Sequence, residues 1–277
     1  MTRRRGSILR ILIIVFVGLI IAQRYRSGQS DDERGAAASS DTTRYVASVQ
    51  QGLGASVAIL LDQSGSMEDE PETGGTTPKY LIARRALAEV LAQTDSFVSR
   101  QPGFPVNVGL YTFTSNVRQV LPIAPFDRRQ LTLALEGLPD PSGNTAIGEA
   151  MALATADLYR AGTIRKYLLV VTDGENTTGR EPDEVAREIA RRSEGAVRIL
   201  LVAFDVDADK FAFVNEVRGT VIQARNAVAL RAGLDTLYRG RILAEAMDAG
   251  ETLPLPMLSD SATPRGAAPA VPPSRPR

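Results

Sequence analysis

Between about residues 56 and 246 the apolar positions follow two alternating rhythms. Near-continuous apolar runs, as in strands covered on both faces, occupy residues 56–61, 167–172 and Val197–Phe204, with further strand-like runs at Val106–Phe113, 117–121 and 220–223. Between them, apolar residues recur at helical spacing. In residues 79–99 these are Leu81, Ile82, Leu87, Val90, Leu91 and Phe97, and similar stretches cover 127–136, 145–159, Pro182–Ser193, 207–217 and 226–246. Thr114-Ser115-Asn116 reads as the turn of a hairpin and so predicts one antiparallel strand. Strands alternating with helices predict an α/β fold. Its core would be a doubly wound, mostly parallel six-stranded sheet with one antiparallel strand, Rossmann-like, with helices on both faces.

The ends do not share this rhythm. Residues 8–22 are apolar except for Arg10, with Arg3, Arg4 and Arg5 before them and Arg24 and Arg26 after. Residues 1–26 are expected to form an N-terminal hydrophobic helix, acting either as a transmembrane anchor with a cytoplasmic tip or as a cleaved signal peptide. The basic excess on the N-terminal side keeps that end cytoplasmic, so the main domain is expected on the extracytoplasmic side of a cell membrane, or secreted or periplasmic after cleavage. Residues 27–50 read as a flexible tether rich in Ser, Ala, Gly and Asp, residues 51–248 as the folded domain, and residues 249–277 as a disordered Pro/Ala-rich tail.

Composition narrows the chemistry. The 277 residues carry 32 Lys plus Arg against 32 Asp plus Glu, so no global field favours nucleic acid. There is no Cys and no His, which removes disulfides, thiolate nucleophiles, Cys/His zinc sites and His-based triads. What remains is oxygen donors, Lys and Arg, and oxygen donors select hard cations such as magnesium, manganese or calcium.

In a doubly wound sheet the ligand crevice lies beyond the carboxyl ends of the strands. Three motifs fall there: Asp62-Gln63-Ser64-Gly65-Ser66 after the first strand, Ser142-Gly143-Asn144-Thr145 before a helix, and Asp173-Gly174 after the strand ending at Thr172. Taken singly, these are turn and capping residues. Together, and in this order, they resemble the von Willebrand factor type A domain, whose metal-ion-dependent adhesion site is built from D-x-S-x-S, a threonine and the aspartate of a T-D-G turn. The resemblance spans roughly residues 56–246. It implies that Ser64 and Ser66 coordinate a magnesium ion through their hydroxyls, that Thr145 does so when a ligand is bound, and that Asp62 and Asp173 act mainly through water. It also implies a protein partner presenting Asp or Glu, and no catalysis. Neutral hydroxyls cancel little of a divalent charge, so the ion stays electrophilic toward such a carboxylate.

Other segments carry less. Glu68, Asp69, Glu70 and Glu72 read as a solvated acidic loop beside the serines, while Gln63 and Met67 occupy variable places of the motif. Asp205, Asp207, Asp209 and Glu216 imitate a calcium loop, but Lys210 replaces the glycine of its sharp turn, and capping explains the aspartates. Asn176-Thr177-Thr178 is a formal glycosylation sequon. A serine hydrolase lacks its histidine. A magnesium-dependent phosphohydrolase using Asp62 as nucleophile would want a carboxylate where Ser64 stands. That reading and a scaffold with a purely structural metal are the alternatives to a membrane-tethered protein-binding module, for which no small-molecule substrate is expected.

Overall fold

The computed structural model describes residues 44–47 and 49–244. Six strands, β1 (Gly52–Asp62), β2 (Val106–Phe113), β3 (Val117–Pro125), β4 (Thr163–Thr172), β5 (Val197–Phe204) and β6 (Thr220–Ala224), form one sheet in the order β3-β2-β1-β4-β5-β6. Only the β2–β3 pair is antiparallel. The helices are α1 (Lys79–Arg100), α2 (Arg128–Glu136), α3 (Ile147–Arg160), α4 (Pro182–Ser193), the single turn α5 (Phe213–Glu216) and α6 (Ala227–Leu237), which continues through a wider π turn, Tyr238–Leu243. The sheet and its flanking helices are those the apolar rhythm predicts.

β1 is central and buried on both faces from Gly54 to Asp62. Its side chains alternate between two cores. Val57, Ile59 and Leu61 pack with α1 and α6 through Leu87, Val90, Leu230 and Leu234, whereas Ala58 and Leu60 pack with α3 and α4 through Met151, Leu158, Val185 and Ile189. Each large apolar side chain so buried contributes about 1.5–3 kcal/mol of transfer free energy, which is why the strands need no polar alternation.

Some boundaries differ from the expected ones. β1 begins at Gly52 rather than 56, because backbone partners hold its glycine-rich start: Gly52 N–H donates to Gly162 O (2.8 Å) and Ala55 N–H to Pro105 O (3.0 Å). β3 runs on to Pro125, which an edge strand tolerates. Residues 207–217 are not one helix. A 3-10 turn, Ala208–Phe211, is capped by Asp207, whose carboxylate accepts from Asp209 N–H (3.2 Å), and α5 follows; Phe211 and Val214 are both buried.

The N-terminal hydrophobic helix, the tether through residue 43 and the Pro/Ala-rich tail lie outside the described residues. Among the described residues no helix is long and apolar enough to cross a membrane. Residues 44–47 dock on the folded domain. Tyr45 N–H donates to Arg192 O (3.0 Å) and the Tyr45 ring stacks on Tyr159 at 4.8 Å. The Arg192 guanidinium lies 4.2 Å from the Tyr45 ring centre and the Lys166 ammonium 4.9 Å from that of Tyr159, making a four-membered cation–π ladder.

The first turn of α3 presses against the loop that leaves β4. A Cβ on Gly148 would lie 2.1 Å from the Arg180 carbonyl oxygen, a backbone atom that cannot swing aside. Gly148→Ala is therefore expected to destabilise the domain by about 1–3 kcal/mol. Urea unfolding of the variant checks this, and an unchanged midpoint would refute the close packing.

Candidate metal centre

The parallel register sets Leu61 of β1 opposite Val171 of β4, so Asp62 ends its strand beside Thr172. Thr172 donates its hydroxyl to Asp62 Oδ2 (2.6 Å), and the backbone N–H of Ser64 donates to Asp62 Oδ1 (2.7 Å). The chain then turns through Gly65 into a short 3-10 turn, Gly65–Glu68. Ser64 stands at its cap position, but its side chain makes no capping hydrogen bond. Instead the Ser64 and Ser66 hydroxyls lie 3.2 Å apart, and Ser66 donates to Asp173 Oδ1 (2.9 Å). Asp62, Ser64, Ser66 and Asp173 are thus one connected polar cluster. Asp62, Ser64 and Asp173 are buried and Ser66 is exposed, so the cluster opens to solvent on the Ser66 side.

Thr145 sits on the third loop, which is stitched to the other two. Gly65 N–H donates to Gly143 O (3.1 Å) and Ser142 N–H to Gln63 O (2.9 Å). On the other side Thr145 N–H donates to the Thr177 hydroxyl (2.8 Å), and Thr145 O accepts from Thr177 N–H (2.9 Å). Thr145 is not the cap of α3. The cap position is Ala146, and Asn176 Oδ1 accepts from Ile147 N–H (2.9 Å) in the capping role, which gives the sequon residue a structural task. The Thr145 side chain is buried and spared from capping.

Residues in the variable places of the first motif brace it. Gln63 Nε2 donates to Asp62 O (2.9 Å), and Gln63 Oε1 accepts from Arg84 Nη2 (2.7 Å), which ties the loop to α1. Met67 is fully buried in the core beneath the loop.

Two charged residues that sequence reasoning did not place here complete the surroundings. Lys79 is the first residue of α1, and its ammonium lies 2.8 Å from Asp173 Oδ2 and 3.8 Å from Asp205 Oδ2. Asp173 Oδ2 is buried and makes no hydrogen bond of good geometry, so charge attraction to Lys79 is its main compensation. Asp205 directly follows β5 and takes a left-handed backbone (φ 58°), which aspartate adopts more readily than most residues. It accepts from the backbone N–H of Glu72 (3.1 Å), which ties the acidic loop to this edge of the sheet. Two signals were available: Asp205 directly follows its strand as Asp173 follows β4, and a lysine in a helix's first turn opposes the macrodipole. The calcium-loop imitation at 205–216 is not assembled. Asp207 caps its own turn and Glu216 pairs with Arg187 (3.9 Å), and among the described residues no group of three or more acidic side chains converges to hold a metal.

The sequence profile of the von Willebrand factor type A domain matches residues 56–226, more than half of the chain. The chain belongs to this family. No curated protein matches it in sequence. Solved structures similar to this type A domain include the PilB minor pilin from Streptococcus sanguinis, in the form of a D319A mutant (13% identity, TM-score 0.57, covering 73% of this chain and 65% of that one). Others are the conserved hypothetical protein BatB from Bacteroides thetaiotaomicron (20%, 0.54, 69% and 100%) and a von Willebrand factor type A protein from Catenulispora acidiphila (19%, 0.54, 74% and 48%). At these identities the likeness is one of fold, and the pilin and the Catenulispora protein extend well beyond what this chain spans.

The donor set of this type A domain fits a hard divalent cation. It consists only of oxygens and includes hydroxyls not used for capping, and Asp173 turns Oδ1 to the Ser66 hydroxyl while its Oδ2 faces Lys79. Burial pushes the Asp62 carboxyl from its usual 3.8 up to about 7. The hydrogen bonds from Thr172 and Ser64 oppose the rise, and the neighbouring Asp173 adds to it. The metal-free fold therefore favours protonated Asp62. Below about pH 4 the group is protonated in both states and costs nothing. As pH rises to about 7 the unfolded chain ionises first, and stability falls by up to about 4 kcal/mol. In EDTA the midpoint of chemical unfolding is expected to drop over that window, and Asp62→Asn is expected to remove this part of the slope. An unchanged slope in the variant would show that Asp62 is not the group responsible.

Proposed function

We propose that this type A domain is a protein-binding module that holds a divalent cation on Asp62, Ser64, Ser66, Thr145 and Asp173 and uses it to capture an acidic residue of a partner protein. Domains of this family commonly mediate protein–protein interaction. The observation that carries the reading is the meeting of two buried carboxylates with the Ser64 and Ser66 hydroxyls on a loop cross-linked to that of Thr145, with Ser66 at the exposed side. Magnesium suits the set best, and manganese or calcium would be accepted by the same oxygens. A bound ion would be only partly neutralised by hydroxyls, and an incoming carboxylate would supply the missing charge-assisted ligand.

The geometry favours binding over catalysis. Asp62 is fully buried, and the hydrogen bonds from the Ser64 amide and the Thr172 hydroxyl fix its orientation, so it is out of reach of a substrate phosphoryl or acyl group. Ser64 occupies the place where a phosphohydrolase would carry its second carboxylate. Residues 1–26 would hold the module on a cell membrane, with the domain on the extracytoplasmic side, or would direct its export before cleavage.

Magnesium at about a hundredfold excess over its dissociation constant is expected to raise the melting temperature by roughly 5–10 °C, reversibly with EDTA, and Asp173→Ala or Ser64→Ala is expected to abolish the shift. Partners captured from membranes should be released by EDTA and missed by the same variants. A partner retained without metal would sink the adhesion reading and leave a structural ion. For the tether, the full chain should stay in the membrane pellet through an alkaline carbonate wash, and a chain lacking residues 1–26 should not.

A further inference from the structure

Lys79 is 7% exposed and stands at the end of α1 where the macrodipole is positive, a position that disfavours a cation. It is held there by its own backbone N–H, which donates to Asp69 O (2.9 Å) near the start of the acidic loop. Its ammonium lies between two carboxylates that are themselves almost wholly shielded: Asp173, one of the five site residues, and Asp205, which is not one of them. The two oxygens of Asp173 are divided between two neighbours, with Oδ1 accepting from Ser66 and Oδ2 facing only Lys79. Two positive charges are therefore offered to one carboxylate: an ammonium fixed to the fold on one side, and on the other a divalent ion arriving at the hydroxyls.

The geometry points to Lys79 as a built-in counter-cation that stabilises the metal-free site and weakens its affinity for a divalent ion. This inference rests on the metal-site reading above. Removing the lysine leaves Asp173 and Asp205 as buried carboxylates without a cation, so the metal-free fold loses stability. The same removal takes away a like charge from the neighbourhood of the ion, so the ion binds more tightly. A merely structural lysine predicts the opposite sign, because loosening the site would weaken metal binding. Because Asp205 also accepts from the Glu72 amide, Lys79 joins the metal edge to the acidic loop, and the affinity it sets is open to anything that moves that loop.

The test uses the full chain with Lys79→Met, Lys79→Gln and Lys79→Arg. Glutamine keeps a donor for Asp173, which guards against simple misfolding, and arginine keeps the charge. Magnesium titration by calorimetry is expected to give about tenfold tighter binding for the neutral variants than for wild type, and near wild-type binding for arginine. In EDTA the neutral variants are expected to melt several degrees lower. Neutral variants that bind magnesium no more tightly than wild type overturn the inference. A wild type that binds no magnesium overturns the metal-site reading alone if Lys79→Gln does bind it, and overturns both if it does not.

Discussion

Everything at the carboxyl edge of this sheet follows from the register of β1 against β4. With Leu61 opposite Val171, the strands end together and deliver Asp62 and Asp173 side by side, out of water. Two shielded carboxylates in one place are unfavourable unless hydrogen bonds and positive charge compensate them. The surroundings supply both. Thr172 and the Ser64 amide hold Asp62, Ser66 and Lys79 divide Asp173 between them, and the exposed residue Ser66 marks the side open to solvent. The site is better described as an unbalanced negative charge with a partial internal remedy than as a set of ligands waiting in isolation.

The fold was legible because both faces of β1, β4 and β5 are covered, which makes their runs apolar without interruption and easy to separate from the helices. The three loops of the site were legible because they follow from strand ends and a known order of motifs. What stayed hidden depends on contacts distant in sequence. Thr145 looked like the start of a helix, yet the cap comes from Asn176, 29 residues away from the amide it binds. Gln63 looked variable, yet it anchors the loop to Arg84 of α1. Lys79 reads as an ordinary surface lysine until the helix start is folded over Asp173. Residues 207–217 carry a helical rhythm, but the chain forms two short turns there, the first a 3-10 turn capped by Asp207.

The three loops share one rigid backing. Gln63, Gly148 and Asn176 lie outside the donor set, but each ties two segments of this edge together: Gln63 O accepts from Ser142 N–H, Gly148 packs on the Arg180 backbone and Asn176 accepts from Ile147 N–H. Holding hydroxyls and carboxylates in place before a ligand arrives reduces the ordering cost of binding. The loop carrying Glu68 to Glu72 is joined to the same edge at two points, Asp69 and Glu72.

The ladder of Arg192, Tyr45, Tyr159 and Lys166 grips the chain just before it enters β1, at the opposite end of that strand from Asp62. A pull between the N-terminal side and anything held at the carboxyl edge would thus run lengthwise along the central strand, with hydrogen-bonded parallel neighbours on both flanks. Where the edge is gripped through Asp173 after β4, such loading is shear, and the hydrogen bonds between β1 and β4 share it rather than unzip one after another. Under load, the rate of unfolding governs the lifetime of the module, and this threading places its most resistant element in the line of tension.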